Sequence, residues 1–224
     1  MTDFTFAHRE EGFDNHIDMS IRNYSSLHDD VVNMSRYFIE DDTNVVDIGC
    51  STGKTLASMI AQNVVSPSIN YIGYEIADGF QEDMSDLMKK HDNLSLKQKD
   101  VRDVHFDNCS LVTSLFTLQF MSYKDRCKVI ENIYEGLNLK GGFIFAEKIY
   151  ASDSKIQDML TFLFYDHKRT NFSADDILDK EFTLRNMLKP NTWMEIQDML
   201  RHAGFRHVQP FWQNHLFVGV IAIK

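Results

Sequence analysis

The stretch 45–55 has the residue types and spacing of a ligand-binding turn. A β-branched run reaches an acid, Asp47, and two glycines follow it, Gly49 and Gly53. This pattern is typical of a buried parallel strand that passes into a helix beside a nucleotide-type ligand. Glycine lets the backbone come close to such a ligand. We therefore predict that Asp47, Gly49 and Gly53 belong to a ligand site.

The spacing in this stretch differs from two common nucleotide motifs. The dinucleotide fingerprint is G-x-G-x-x-G, and the phosphate loop is G-x-x-x-x-G-K-[ST]. Gly49 and Gly53 are one residue too close for the phosphate loop, although Lys54 and Thr55 follow them. A tight strand-to-helix turn without a ligand is the structural alternative to a binding site.

Two further acids follow predicted strands. Glu75 ends a strand predicted over 69–75, and Asp100 follows a strand predicted over 94–99. A carboxylate accepts hydrogen bonds at two oxygens, so Glu75 suits the hydroxyls of a ribose and Asp100 suits the amine of adenine. The next backbone N–H, at Val101, can donate to a ring nitrogen. Any one of these acids could be a solvated strand-end charge, but three at neighbouring strand ends indicate one site.

A parallel sheet is needed to bring these strand ends together. Strands are predicted over 45–48, 69–75, 94–99, 110–115 and 141–147, and helices over 54–64 and 125–137. Their alternation predicts an α/β fold with helices on both faces of the sheet. A loop that contains Pro67 lengthens the second unit, so Glu75 stands 28 residues after Asp47.

Three regions lie outside this alternation, within what we predict to be a single domain over 1–224. The first region, residues 1–40, is predicted to form an arm over 4–13 and then helices over 14–37 with a break near Tyr24. The inner side of these helices carries five residues: Ile17, Met19, Ile21, Tyr24 and Leu27. Tyr24 could cover the ligand or lie in the core. Residues 151–189 lack strand-like alternation and are predicted to be inserted helices. Residues 207–212 and 216–223 are predicted to form a closing hairpin.

Composition favours a folded cytoplasmic enzyme. The chain has 224 residues, of which 43% are hydrophobic, and its net charge is −10. That charge opposes direct nucleic-acid binding, which depends on neutralising phosphates. We find no secretion signal and no apolar run that could span a membrane. Three unclustered cysteines argue against a disulfide framework and against a metal site.

The D-x-G-x-x-x-G spacing resembles the first motif of class I S-adenosylmethionine (SAM)-dependent methyltransferases. Further segments resemble the carboxy-S-adenosylmethionine (carboxy-SAM) synthase family, a branch of that fold: 115–120, 133–138, Gly141-Gly142, Glu147-Lys148, 166–171 and 202–205. The resemblance covers most of the chain from about Tyr24 onward. It implies a Rossmann-like fold with a mostly parallel seven-stranded sheet and an antiparallel last strand.

The resemblance implies cofactor contacts for SAM, or carboxy-SAM, at Tyr24, Gly49, Cys50, Ser51, Glu75, Ile76, Asp100, Val101 and Leu115. It also implies a homodimer built by the 151–189 helices. In the family, a neighbouring subunit donates an arginine that binds the added carboxylate, and this position falls on Glu181. Lys180 and Arg185 lie nearby and could supply a positive charge instead. Because like charges repel, Glu181 predicts a preference for SAM over carboxy-SAM.

No catalytic residue is identified from the sequence. Methyl transfer from a sulfonium mainly requires that the acceptor be aligned and water excluded. His28, His167 and His215 could each act as a base, but a structural role is the simpler interpretation. Lys168 and Arg169 could bind an anionic substrate or form a solvated helix face.

Three functional hypotheses follow. The chain is a SAM-dependent transferase that acts on a small molecule. Alternatively, as the resemblance implies, it is a carboxy-SAM synthase that uses SAM and prephenate and serves modification of the tRNA wobble uridine. A third hypothesis is a non-catalytic SAM-binding regulatory module.

Overall fold

The structure is a computed structural model that describes residues 13–64 and 68–224. Residues 4–12 of the arm predicted over 4–13, and the loop at Pro67, therefore lie outside the described residues, and Phe13 begins the first helix. The helices are α1 (Phe13–Ser20), α2 (Tyr24–Ser35), α3 (Lys54–Gln62), α4 (Gln81–Met88), α5 (Tyr123–Gly136), α6 (Ser154–Lys168), α7 (Ala174–Leu184) and α8 (Trp193–Ala203). The strands are β1 (Asn44–Ile48), β2 (Asn70–Glu75), β3 (Leu94–Gln98), β4 (Cys109–Leu115), β5 (Leu137–Tyr150), β6 (Asn191–Thr192), β7 (His207–Asn214) and β8 (Phe217–Ile223).

Seven strands form one sheet in the order β3-β2-β1-β4-β5-β8-β7, and the two-residue β6 pairs with the end of β5. The pairs among β1 to β5 are parallel, whereas β8 runs antiparallel to both β5 and β7. This arrangement confirms the predicted Rossmann-like sheet with an antiparallel last strand.

The central strands are apolar on both sides, as expected where helices cover both faces of a parallel sheet. Alternate residues of β5 enter two separate apolar clusters. Phe143 and Phe145 pack with residues of α5 and α8, whereas Ile144 and Ala146 pack with residues of α2, α3 and α4. Because each strand is held from above and below, the carboxyl ends of β1 to β4 have fixed positions at one edge of the sheet.

The two amino-terminal helices meet at a sharp break. The predicted helical region 14–37 ends its first helix at Ser20 and restarts at Tyr24, because Asn23 takes a left-handed conformation with φ 61°. Leu27 is buried, as predicted, but Met19 is 38% exposed, so its placement on the inner side was wrong. Met19 lies near the end of the short helix α1.

The inserted region contains two helices with side-chain caps. Asp153 accepts a hydrogen bond from the backbone N–H of Ile156 and begins α6, while Ser173 and Asp176 form a reciprocal capping box at the start of α7. Such caps satisfy backbone donors that a helix start leaves unpaired. No described helix is long and apolar enough to cross a membrane.

Candidate functional site

A cavity of about 550 Å³ lies at the carboxyl ends of the parallel strands. The position is the one at which open α/β sheets bind ligands. The cavity wall includes seven residues predicted from the cofactor pattern and two predicted for the substrate: Gly49, Ser51, Glu75, Ile76, Asp100, Val101, Leu115, Lys168 and Lys180. The strand-end positions predicted from the sequence thus meet at one site.

The turn after β1 is folded tightly at Gly49. This residue has φ +72°, and a Cβ built on it would lie 2.0 Å from Oγ1 of Thr117. Its N–H donates to the carbonyl of Tyr74 at 2.7 Å, which ties the turn to the end of β2. Any side chain here would be strained in conformation and would collide with the loop after β4. Gly53 has φ +81° and packs against Leu87 and Leu96, away from the cavity.

Glu75 is a buried carboxylate that organises the cavity floor. Its Oε2 accepts the N–H of Ser51 at 3.0 Å, and its Oε1 accepts the N–H groups of Ile76 and Ala77, each at 2.8 Å. A carboxylate offers about four acceptor positions. Three are filled, so Oε2 retains one for a ligand hydroxyl. Accepting two hydroxyls would require Oε1 to release one backbone N–H.

Asp100 is held by the guanidinium of Arg102. The Nε of Arg102 lies 3.0 and 2.9 Å from the two carboxylate oxygens, and its backbone N–H donates to Oδ1 at 2.9 Å. This pairing holds the pKa of the Asp100 carboxyl below its usual range, so the group is ionised. An ionised carboxylate here can accept hydrogen bonds only. Val101 begins the 3₁₀ turn that follows and contributes an apolar surface to the cavity.

Asp47 lies beneath the cavity and is not part of its wall. Its side chain is 3% exposed and accepts a hydrogen bond from Oγ1 of Thr113 at 2.7 Å. Burial raises the pKa of Asp47 to about 7, and the neighbouring charge of Glu75 acts in the same direction. Cys50 is similarly buried and packs against Gly73, and burial raises the pKa of its thiol. The structure therefore places both side chains as supports of the β1 turn.

Tyr24 is buried in the core and is also absent from the cavity wall. Its ring centroid lies 6.1 Å from that of Phe116, which does form part of the wall. Phe116 has φ +60°, a left-handed conformation that is uncommon for an aromatic residue and is often found at functional sites. Tyr24 thus supports a strained cavity residue from behind.

The far end of the cavity combines lysines with aromatic rings. The Nζ atoms of Lys168 and Lys148 lie 5.1 and 5.5 Å from the centroid of the Phe164 ring. Phe217 packs edge-on against Phe164 at 5.3 Å. A cation gains about 0.5–2 kcal/mol over an aromatic face. This end of the cavity is therefore both apolar and cationic.

Helix α7 brings charged residues of both signs to the same end. Lys180 hydrogen-bonds to His16 of α1, and Glu181 contributes to the cavity wall of its own chain. Arg185 does not reach the cavity; its guanidinium lies 4.8 Å from the ring centroid of Phe182. Arg169 is exposed at the end of α6 and also lies outside the wall.

None of the three histidines considered from the sequence lies in the cavity wall. Burial lowers the pKa of His28, His167 and His215, so each is neutral at pH 7. The described residues contain no cluster of His, Cys, Asp and Glu that could hold a metal ion.

Several wall residues were not predicted individually: His16, Phe116, Thr117, Gln119, Lys148, Phe164 and Phe217. Phe116, Thr117 and Gln119 lie in the 115–120 segment, and Lys148 follows Glu147, so the family-like segments did contain a signal for these four. His16 and Phe217 come from helix and strand positions with no distinguishing sequence pattern. Only the tertiary packing brings them to the cavity.

Comparison with known proteins agrees with this geometry. Residues 45–141 match a family described as "Methyltransferase domain". The chain is 35% identical over 214 residues to a carboxy-S-adenosyl-L-methionine synthase from Staphylococcus epidermidis, covering 95% of this chain and 92% of that protein. A protein of the same name from Shewanella oneidensis is 33% identical over 230 residues, covering 100% of this chain and 94% of the relative.

Solved structures share the fold at low sequence identity. An O-methyltransferase family protein from Burkholderia thailandensis superposes with a TM-score of 0.65 at 15% identity, covering 98% of this chain and 61% of that chain. Human N-acetylserotonin methyltransferase in complex with SAM superposes with a TM-score of 0.58 at 14% identity. This match covers 90% of this chain and 52% of that chain.

The chemistry of the cavity wall fits SAM. Glu75 offers an acceptor for a ribose hydroxyl, Asp100 offers an ionised carboxylate, and Ile76, Val101 and Leu115 provide apolar surface for a flat base. SAM is the cofactor, and the chain is a SAM-dependent enzyme of the transferase kind. With a match at 35% identity over 95% of its length, the chain belongs to the carboxy-S-adenosyl-L-methionine synthase family of the class I methyltransferase fold.

Proposed function

We propose that this enzyme transfers the carboxyl group of a carboxylic acid, with prephenate as the candidate source, to the methyl carbon of SAM and so forms carboxy-SAM. One methyl C–H bond breaks as the new C–C bond forms. Prephenate loses its ring carboxyl and ring hydroxyl groups, so its ring becomes aromatic, and the hydroxyl leaves with the methyl proton as water. The observation that carries the proposal is the Lys148–Phe164–Lys168 group, which lies in the same cavity as Glu75 and Asp100. Ammonium groups in a water-poor, aromatic environment bind carboxylates strongly. Names of the relatives that match this chain over nearly its whole length support the same product.

The residues divide into two groups by their proposed roles. Gly49, Ser51, Glu75, Ile76, Asp100, Val101 and Leu115 hold SAM, with Asp47, Cys50, Gly53 and Tyr24 supporting them from beneath. When bound, SAM supplies a methyl group activated by the adjacent sulfonium. Lys148 and Lys168 hold the carboxylate of the second substrate, and the aromatic rings beside them exclude water from the reacting groups.

Methyl transfer from SAM to a small molecule is a second candidate function. It is favoured by Glu181, which occupies the sequence position of the resembled family's carboxylate-binding arginine and lies in the cavity wall of its own chain. A carboxylate near a ligand carboxylate is repulsive unless a cation lies between them. Lys180, the preceding residue, is the nearest cation in sequence and is hydrogen-bonded to His16. Arg185 would have to leave Phe182 to reach the cavity.

Mass spectrometry after incubation with SAM and prephenate tests the proposal. We expect carboxy-SAM to form, and we expect Lys148→Met to raise the KM for prephenate by about tenfold or more, because a charge-assisted bond contributes about 1.5–3 kcal/mol. Lys155→Met, on the exposed side of α6, is the matched control and should behave like the unmodified protein. Failure to form carboxy-SAM at any prephenate concentration would reject the proposal. A methylated acceptor in its place would establish the second candidate.

We also propose a cytoplasmic homodimer joined through α6 and α7. Large apolar side chains on these helices are exposed: Ile156, Met159, Phe162, Leu163, Leu178 and Phe182. An apolar surface of this kind on two adjacent helices suits an interface between subunits.

Three free cysteines support a reducing compartment, and the net charge of −10 argues against direct nucleic-acid binding.

A further inference from the structure

A single buried guanidinium connects several segments around the cavity. Arg126, in the first turns of α5, is 1% exposed. Its Nε donates to the carbonyl of Leu118 at 3.1 Å, and one terminal nitrogen donates to the carbonyl of Lys189 at 2.9 Å. The other terminal nitrogen donates to Glu147 Oε2 at 3.1 Å and to Oδ1 of Asn191. Four of its five N–H donors are thus used by separate acceptors.

Each of these acceptors is next to a cavity residue or to a segment that carries one. Leu118 begins the 3₁₀ turn that contains Gln119, Glu147 precedes Lys148, and Lys189 lies in the wall after α7. Gln119 extends the connection: its Oε1 accepts the N–H of Lys148 at 2.8 Å, and its carbonyl accepts the N–H of Lys189 at 2.8 Å. The turns after β1, β2 and β3, which hold the SAM side of the cavity, contain no acceptor of Arg126 in the described residues.

The ion pair is also an unusual choice for a purely structural core. Glu147 is 1% exposed, and its Oε1 accepts no hydrogen bond from any described residue. Burying two charges costs several kcal/mol per ion, and well-packed apolar residues are often at least as stable. The stability of the fold therefore gives little reason for a buried ion pair here. A better reason is that the pair holds three segments, those of Leu118, Glu147 and Lys189, in one fixed geometry.

We propose that Arg126 is a positioning residue, which sets the place of Lys148 and of the segment after α7 relative to bound SAM. The proposal rests on the proposed function for its kinetic test. A guanidinium is required because it presents donors in a rigid planar fork, while lysine has a single nitrogen and cannot reach four separated acceptors.

Kinetics of three variants test the proposal. In Arg126→Lys we expect the KM for prephenate to rise by about tenfold or more while the Kd for SAM changes by less than about twofold, since small misplacements cost much in positioning. The double variant Arg126→Met with Glu147→Leu removes both charges, so it should recover stability but keep the raised KM. Asn191→Ala keeps the ion pair and removes one acceptor, so a smaller rise is expected.

A stability control separates positioning from general loosening. Met199→Ala removes a core side chain of α8 that is 2% exposed and does not contribute to the cavity wall. It should lower the Tm and leave the KM for prephenate unchanged. A double variant with both a normal Tm and a normal KM for prephenate would overturn the proposal. The proposal would also be overturned if the affinity for SAM fell in all three variants as much as the KM for prephenate rose.

Hydrogen exchange provides a test that does not depend on the reaction. The amide of Lys189 donates to the carbonyl of Gln119, so it should exchange faster in all three variants than in Met199→Ala. If the unmodified protein forms no carboxy-SAM, the proposed function fails and this exchange measurement alone decides the role of Arg126. Unchanged Lys189 protection in Asn191→Ala and in the double variant would then reject it.

Discussion

At the scale of single residues, Glu75 fixes two turns with one carboxylate. Its oxygens accept three backbone N–H groups around the turns after β1 and β2, and one acceptor position remains toward the cavity. We propose that the same side chain also contacts the ligand, so that the ligand site is rigid before binding. Rigidity of this kind reduces the ordering cost of association.

We therefore expect Glu75→Ala to weaken SAM binding by about 1–3 kcal/mol, because a buried ligand hydroxyl loses its acceptor. Isothermal titration calorimetry measures the change. Glu82→Ala, an exposed acid on α4, serves as the control and should bind SAM normally. Equal affinities for the two variants would contradict the assigned role.

Asp47 gives a pH dependence whose sign follows from its burial. The pKa of Asp47 is raised from 3.8 to about 7 in the folded protein. Between these values the folded state holds a proton that the unfolded chain releases, so the free energy of unfolding falls as the pH rises. Burial also raises the pKa of Glu147, although the charge of Arg126 opposes this rise, so Glu147 contributes in the same direction.

Asp47→Asn isolates the contribution of Asp47, since an amide oxygen can still accept the hydroxyl of Thr113. Without ligand, we expect the variant to equal the unmodified protein near pH 4 and to exceed it by up to about 4 kcal/mol near pH 8, because the pKa of Asp47 is raised from 3.8 to about 7. Urea unfolding at both pH values measures this difference. Two pH–stability curves that run parallel would show that Asp47 is ionised throughout.

At the scale of elements, the sequence predicted the parallel strands well because their apolar runs and terminal acids lie close together in the chain. It did not predict α8, although Thr192 and Glu195 form a capping box and Gly204 ends the helix at φ +117°. The capping box and the terminal glycine are a short signal, and they lie between the predicted inserted helices and the predicted closing hairpin, where no helix was expected. The cavity-lining role of α1 could not be predicted, because it depends on how this helix packs against α2 and α6 and on the hydrogen bond between His16 and Lys180 of α7.

The candidate site, like the set of helices and strands, was predictable only in part. Glu75, Asp100 and Val101 follow directly from strand ends, which a parallel sheet places at one edge by geometry alone. Tyr24 and Cys50 carry side chains that face the core. The helical spacing of Tyr24 allowed a core position, whereas the neighbours of Cys50 in the sequence do not indicate one. Lys148 and Phe164 come from β5 and α6, so their encounter is a property of the packed chain and of no local pattern.

At the scale of the whole molecule, the exposed apolar side chains of α6 and α7 lead to a prediction about assembly. Phe162 is 66% exposed and Met159 is 57% exposed on α6. We expect light scattering to give twice the 26.1 kDa chain mass for the unmodified protein and the chain mass for Phe162→Glu, because a charge at an apolar interface is not compensated. Leu139→Glu, at a separate position that is 79% exposed, should remain dimeric. A single-chain mass for the unmodified protein would contradict the proposed dimer.

The position of β8 has a consequence for how the protein is made. This strand lies between β5 and β7, yet the ribosome synthesises it after both. Until Phe217–Ile223 emerges, the edge of β5 over Gly142–Lys148 has no partner, and β7 cannot join the sheet. A nascent chain therefore presents an apolar strand edge that can pair with other chains. Premature termination within β8 would yield an aggregating product, because the strand that joins β7 to the sheet is translated after both of its neighbours.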